Sequence, residues 1–155
     1  MKKSVGLVLL LTAAFAYSGV EGTSGCENGL NYVAATLYER PVFGVCKSDP
    51  EGKASLAALA GNPACKDYKF ITRHCECEVL AAPYMKCVAG KQGFLKADGS
   101  IDSEKIIGLY KMWTSKACDV AQFDSAAKKC GTEIENYAYL EKAACIARKS
   151  KNFTG

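Results

Sequence analysis

The sequence predicts an all-α protein, a compact bundle of five to seven short helices crosslinked by disulfides. Three observations carry that expectation. Apolar residues recur at intervals of three and four along most of the chain, and no segment sustains the period-two alternation of a half-buried strand. Two capping-box patterns, Ser48-Asp-Pro-Glu51 and Thr132-Glu-Ile-Glu135, mark helix starts. Nine cysteines, the first at Cys26, give a domain of modest core the covalent ties that such domains use.

The first residues read as a processing signal. Lys2 and Lys3 precede a nearly unbroken apolar run from Val5 to Ala16, and Ala14-Phe15-Ala16 offers small residues at the spacing a signal peptidase reads. Residues 1–16 are therefore expected to be a secretory signal peptide, with Gly19 and Gly22 as alternative, later cleavage points. The run is too short to span a membrane, and no membrane span is expected further on. Residues 23–155 then form a single disulfide-rich helical domain, secreted and extracellular.

Within that domain, Leu30, Val33, Ala34, Leu37 and Tyr38 predict a first amphipathic helix over 28–40, ended by Pro41 and Gly44. The Ser48–Glu51 box, with proline in the first turn, opens a second helix to Ala60, and Gly61-Asn62-Pro63 stops it. Pro63 then starts a cysteine-rich helix on which Tyr68, Ile71, Thr72, Cys75 and Val79 share a side. Cys75 and Cys77 lie roughly 200° apart on such a helix, so they point to different neighbours. Pro83 is expected to break or restart it. After a glycine-rich loop, Asp102 begins a fourth helix whose stripe is Ile106, Leu109, Tyr110, Trp113 and Ala117. Asp119 caps a fifth, with Lys128 and Lys129 in its last turn and Gly131 as terminator. Thr132 opens the last, to about Lys149.

Charge and cysteine count narrow the classes of function. The net charge is +4, two units of which are Lys2 and Lys3, and the remaining lysines are scattered with Lys128-Lys129 as the only later pair. No concentrated basic face emerges, so no nucleic-acid partner is expected. In an oxidising compartment Cys26, Cys46, Cys65, Cys75, Cys77, Cys87, Cys118, Cys130 and Cys145 are all disulfide candidates. Nine is odd, which leaves one free thiol or one bridge to a second copy, a disulfide-linked dimer. Eight paired cysteines allow about 105 connectivities, and spacing does not choose among them.

The usual parts of an active site are missing. The single histidine, His74, stands beside Cys75 and Cys77, yet one residue between two cysteines suits a tetrahedral metal chelate poorly, so no metal site is expected. His74 reads as a surface or helix-end residue. Secreted helical phospholipases pair a catalytic histidine with a following aspartate behind a glycine-rich calcium loop, whereas Cys75 follows His74 here. The segment Leu95–Glu104 echoes a calcium-binding loop, but Phe94 stands where the first ligand belongs, and the reading is a loop followed by a helix cap. With no paired-carboxylate motif and no nucleophile elbow, neither enzymatic activity nor a cofactor is expected. Asn152-Phe-Thr154 is a glycosylation sequon.

The segment Tyr84-Met85-Lys86-Cys87, followed by Gly99, Ile101 and Glu104-Lys105, resembles the insect odorant-binding proteins. That resemblance spans residues 84–105 and carries over one family cysteine, at Cys87. Pro83 stands where the family's second cysteine belongs, and Cys118, Cys130 and Cys145 do not reproduce its later spacing. It implies a secreted helical carrier of small apolar molecules with disulfides around a central pocket. A second, weaker resemblance, carried by Tyr32-Val33-Ala34, Phe43, Cys46, Asp49 and Gly52, is to the elicitins, secreted helical sterol carriers.

The function expected is a non-enzymatic carrier holding a small hydrophobic ligand (an odorant, fatty acid or sterol) in a helical cavity. Periodicity places Ile106, Tyr110 and Trp113 on one helix and Phe123 on the next as its ligand-binding wall. The alternative is a secreted effector, toxin or salivary protein that acts by its surface on a receptor or host protein.

Overall fold

The computed structural model describes residues 19–154, with side chains from Gly25 onward. The signal segment, residues 1–16, lies outside the described residues. The two later cleavage points, Gly19 and Gly22, fall in the first turns of the first helix. Among the described residues the fold is all-α: α1 (Gly19–Tyr38), α2 (Val42–Cys46), α3 (Pro50–Ala60), α4 (Cys75–Lys91), α5 (Ser103–Trp113), α6 (Val120–Cys130) and α7 (Tyr139–Ser150), with a 3-10 turn at Pro63–Cys65. Among the described residues, extended pairing is limited to one bridge between Leu95 and Ile101.

α7 packs on α1 and α6, α3 packs on α4, and α2 leans on α4. The most enclosed helix is α7, which buries residues all round: Tyr139, Leu140, Ala143, Ile146 and Ala147 join Leu30 and Leu37 of α1, Val88 of α4, Ile106 and Tyr110 of α5, and Phe123 of α6. A helix that buries several sides needs polar groups with local partners. Tyr139 donates its hydroxyl to Gln92, and Lys142 gives its ammonium to the carbonyls that end α6.

Four disulfides fix this arrangement. Cys26 of α1 joins Cys118 in the α5–α6 connection, Cys46 of α2 joins Cys87 of α4, Cys65 joins Cys77, and Cys130 of α6 joins Cys145 of α7. Cys75 is the odd thiol, and it is exposed. The divergence expected of Cys75 and Cys77 is present, since Cys77 is wholly buried. The two ties of this helix, however, come from Cys77 and Cys87, not from Cys75.

Several local expectations are corrected. The cysteine-rich helix does not run from Pro63. The chain leaves helical geometry after Cys65, and α4 begins at Cys75, because His74 is extended (φ −155°, ψ 101°) and caps it. His74 accepts the Cys77 amide on Nδ1 at 3.4 Å while the Glu78 carboxylate accepts the His74 amide at 3.3 Å, a reciprocal cap. Pro83 does not end the helix. It sits exposed inside α4, where the Ser55 hydroxyl donates to the Leu80 carbonyl, one turn before it. The N-cap of α3 is Asp49 rather than Ser48, and it accepts the Gly52 amide at 3.0 Å.

Asp119 stands at the N-cap of α6 but makes no side-chain cap bond. The Thr132 box does not open α7. Asn136 and Tyr137 both hold positive φ, 54° and 57°, which interrupts a right-handed helix, and α7 starts at Tyr139. The freed Ile134 amide donates instead to the Ser103 hydroxyl at 3.0 Å. The first helix begins nine residues before the expected Asn28 and stops at Tyr38. Other expectations hold. Gly131 ends α6 at φ 81°, and Asp102 caps α5 by accepting the Lys105 amide at 3.2 Å. The 95–101 loop closes on itself through Asp98, which accepts the Ser100 amide and hydroxyl.

Candidate functional site

Of the expected ligand wall, Ile106, Tyr110 and Phe123 lie together in the buried core, with Trp113 at its edge. Ile106 and Tyr110 are wholly buried, one turn apart on α5. The Tyr110 hydroxyl donates to the Tyr139 carbonyl at 2.7 Å, and the phenol is pushed well above its ordinary pKa, first by burial and then by Tyr139. Phe123 is buried beside them on α6. Trp113, the last residue of α5, is 41% exposed, its ring centroid 6.3 Å from that of Tyr110. Among the hollows of the described residues, three measure about 280 to 430 Å³, and of these four side chains only Phe123 lines one of those three.

The largest of the three is apolar and lies elsewhere. Its volume is about 430 Å³, and its walls are Leu56 and Leu59 of α3, Pro63 and Cys65 of the 3-10 turn, and Tyr68 and Phe70 of the segment that leads to α4. Local sequence explains how that segment is held. Asn62 caps the 3-10 turn by accepting the Ala64 amide at 2.8 Å and donates to the Glu76 carboxylate at 2.7 Å. The Cys65–Cys77 bond, 12 residues in span, then closes the loop. Within it Phe70 adopts φ 66°, a left-handed backbone that a bulky residue rarely holds.

What holds Phe70 there is a chain of rings. Its centroid lies 5.1 Å from Tyr68, 5.6 Å from Tyr84 and 6.0 Å from Tyr38, and Phe43 stands 5.0 Å from Tyr38 and 6.2 Å from Tyr84. These are offset and edge-on contacts, each contributing on the order of 0.5–1.5 kcal/mol. Tyr84 anchors the chain by donating its hydroxyl to the Phe43 carbonyl at 2.8 Å; burial, with a smaller contribution from Tyr38, pushes its pKa up to about 12. Burial likewise raises the Tyr68 phenol, with the charges of Glu78 and Glu141 adding to it. The hollow thus has an aliphatic wall on α3, an aromatic wall in the loop, and Asn62 and Lys66 as its polar edge. Chemically it offers apolar surface and a cation at one side, with no nucleophile.

A third, smaller hollow of about 280 Å³ is lined by Met112, Val120 and Phe123 beside Cys118, with Met112 and Val120 well exposed. Among the described residues, no group of three or more His, Cys, Asp or Glu side chains is placed to hold a metal ion. No described helix is long and apolar enough to cross a membrane. Asn152 of the sequon is exposed. Comparison with protein-family models, with curated proteins and with solved structures finds no match to this chain.

Sequence reasoning missed Leu56, Leu59 and Phe70 as site residues. The signal for the first two was present, since Leu56 and Leu59 are three apart on one side of α3. Phe70 carried none, because a left-handed backbone at phenylalanine is imposed by its surroundings.

Proposed function

We propose that this chain is a secreted, non-enzymatic carrier that binds a small hydrophobic molecule in the hollow between α3 and the 66–70 loop. The observation that carries this reading is the wall itself: two leucines facing a half-buried Tyr68 and Phe70, with Phe70 held in a left-handed backbone by the rings around it. Strained backbone of this kind clusters at ligand sites, where the fold over-determines it. The volume of about 430 Å³ falls in the range of small-molecule sites. Lys66 at the rim suits an apolar chain ending in a carboxylate or hydroxyl. Four disulfides support an extracellular setting. The engagement of the single histidine in capping α4 supports a non-catalytic role.

Burying a chain of about ten carbons is worth roughly 0.8 kcal/mol per methylene before ordering costs, which makes micromolar affinity the natural scale. The test is displacement of an environment-sensitive fluorescent probe from folded, delipidated protein by fatty acids, long-chain alcohols and sterols. Saturable uptake that is weakened by Leu59→Asp supports the carrier; no uptake defeats it.

A second reading rests on a different observation. Met112, Trp113 and Val120 leave apolar surface exposed around the end of α5 and the start of α6, which fits an effector that docks on a receptor or host protein. If probe uptake fails while Trp113→Ala abolishes binding to such a partner, this reading replaces the first. The exposed Cys75 is the thiol through which a disulfide-linked dimer would form.

A further inference from the structure

The rim of the apolar hollow beside α3 offers very little to the polar end of a ligand. The backbone amides of Gly61, Asn62, Cys65, Lys66 and Tyr68 each donate to a carbonyl within residues 57–65, and the Ala64 amide donates to Asn62 Oδ1. Pro63 has no amide proton to give. The Asn62 side chain is committed at both ends, since its Nδ2 donates to the Glu76 carboxylate at 2.7 Å. Lys66 is different. It lines the hollow, its side chain is exposed, and it forms no ion pair among the described residues. Its ammonium brings three donors and a full charge to a rim whose other donors are taken.

The charges around the hollow favour one kind of head group. Its lining holds no carboxylate. Asp67 follows Lys66 in the chain but is not part of the lining, and Glu76 reaches the rim through its bond to Asn62. The Tyr68 phenol, by contrast, lies in the field of Glu78 and Glu141, which repels an anion placed there. An anionic head is thus directed to Lys66, and its chain to the leucines and rings. A hydroxyl head fits less well. It must place its own proton, and the Asn62, Pro63 and Cys65 carbonyls each accept a bond already. An acceptor-only carboxylate on a donor-only ammonium makes the stronger, charge-assisted bond.

We propose that the ligand of this hollow is a single-chain carboxylate, an ionised medium-chain fatty acid, and that Lys66 is the residue that selects its head group. The chain then lies on Leu56, Leu59, Tyr68 and Phe70. This rests on the carrier reading of the same hollow, and adds to it the class of molecule carried.

The experiment compares three probes with the same ten-carbon chain: sodium decanoate, decan-1-ol and decylammonium chloride. Each displaces an uncharged fluorescent probe from folded, delipidated protein at about pH 8, where the carboxylate is ionised. Because Lys66 is exposed, decanoate should bind about three- to fivefold more tightly than decanol, with decylammonium the weakest. Lys66→Gln should bring decanoate down to the affinity of decanol, and Lys66→Arg should keep the preference. Lys128→Gln lies on α6 outside the lining and removes the same net charge, so it should leave the preference intact. Raising the salt from about 0.02 to about 0.5 M should narrow the gap between decanoate and decanol. Equal binding of the three probes, or a decanoate preference that survives Lys66→Gln, overturns this inference and leaves the carrier reading standing. No binding of any probe overturns both.

Discussion

Replacing Phe70 by alanine and, separately, by glycine isolates the backbone strain at the aromatic wall. Both substitutions remove the same ring, with its contacts to Tyr38, Tyr68 and Tyr84. That common loss is about 2–3 kcal/mol for a half-buried phenylalanine. The two differ at φ 66°, where a Cβ costs about 1–2 kcal/mol and glycine costs nothing. Glycine's greater freedom in the unfolded chain returns about 0.5–1 kcal/mol of that advantage. The expected outcome is that Phe70→Gly is the more stable of the two by about 0.5–1 kcal/mol, roughly 2–4 °C in Tm for a chain of this size. At an ordinary helical or extended position the order is the reverse, with alanine ahead by a similar amount. Urea melts of both variants, with the disulfides kept oxidised, read the difference directly. Alanine equal to or ahead of glycine would falsify the claim that Phe70 is held in a left-handed backbone. Both variants should also lose probe uptake, since the aromatic wall is gone in each.

Removing the Cys26–Cys118 bond by a double serine substitution frees a loop of sequence separation 92 and should cost about 4–5 kcal/mol, the largest effect of the four bonds; a smaller loss than for Cys130–Cys145, separation 15, contradicts the chain-entropy account. Denatured but unreduced protein should titrate one thiol per chain and lose it in Cys75→Ser, and two or more thiols would contradict the pairing. Alkaline pH should destabilise the fold. Burial raises the phenols of Tyr68, Tyr84, Tyr110 and Tyr139, so the folded state keeps protons that the unfolded chain releases near pH 10. Their contribution is full below pH 10 and is lost as pH rises, for Tyr84 between 10 and about 12. Lys142, lowered by burial, runs the opposite way, one group against four. Urea midpoints at about pH 9 and about pH 11 should therefore fall, and an unchanged midpoint refutes the burial argument.

The helical class was legible because amphipathic periodicity is written into several of the helices, α5, α6 and α7 most clearly. Leu30, Ala34 and Leu37, or Ile106 and Tyr110, declare their buried faces in one dimension. What failed was local competition decided in three dimensions. Tyr68 and Ile71 fit a helical stripe, yet the Cys65–Cys77 closure and the ring cluster pull that segment into a loop. The Thr132 box is a sound start signal, but the Ile134 amide finds Ser103, 31 residues away, and the helix waits until Tyr139. Periodicity says which residues face inward, not where space is vacant: Ile106, Tyr110 and Phe123 are buried as their spacing suggests, while the apolar hollow beside α3 is lined by residues of a loop that periodicity does not describe. Disulfide connectivity was beyond reach for the same cause, since it depends on which helices meet.

Where the ligand sits is the most direct question for the account, and intermolecular nuclear Overhauser effects answer it. The measurement uses delipidated protein saturated with a ten-carbon fatty acid or alcohol, with its aliphatic and aromatic side chains assigned. Contacts are expected from the ligand chain to Leu56, Leu59, Tyr68 and Phe70, with the polar end near Lys66. Contacts to Met112, Val120 and Phe123 instead, or none at saturating ligand, would contradict it.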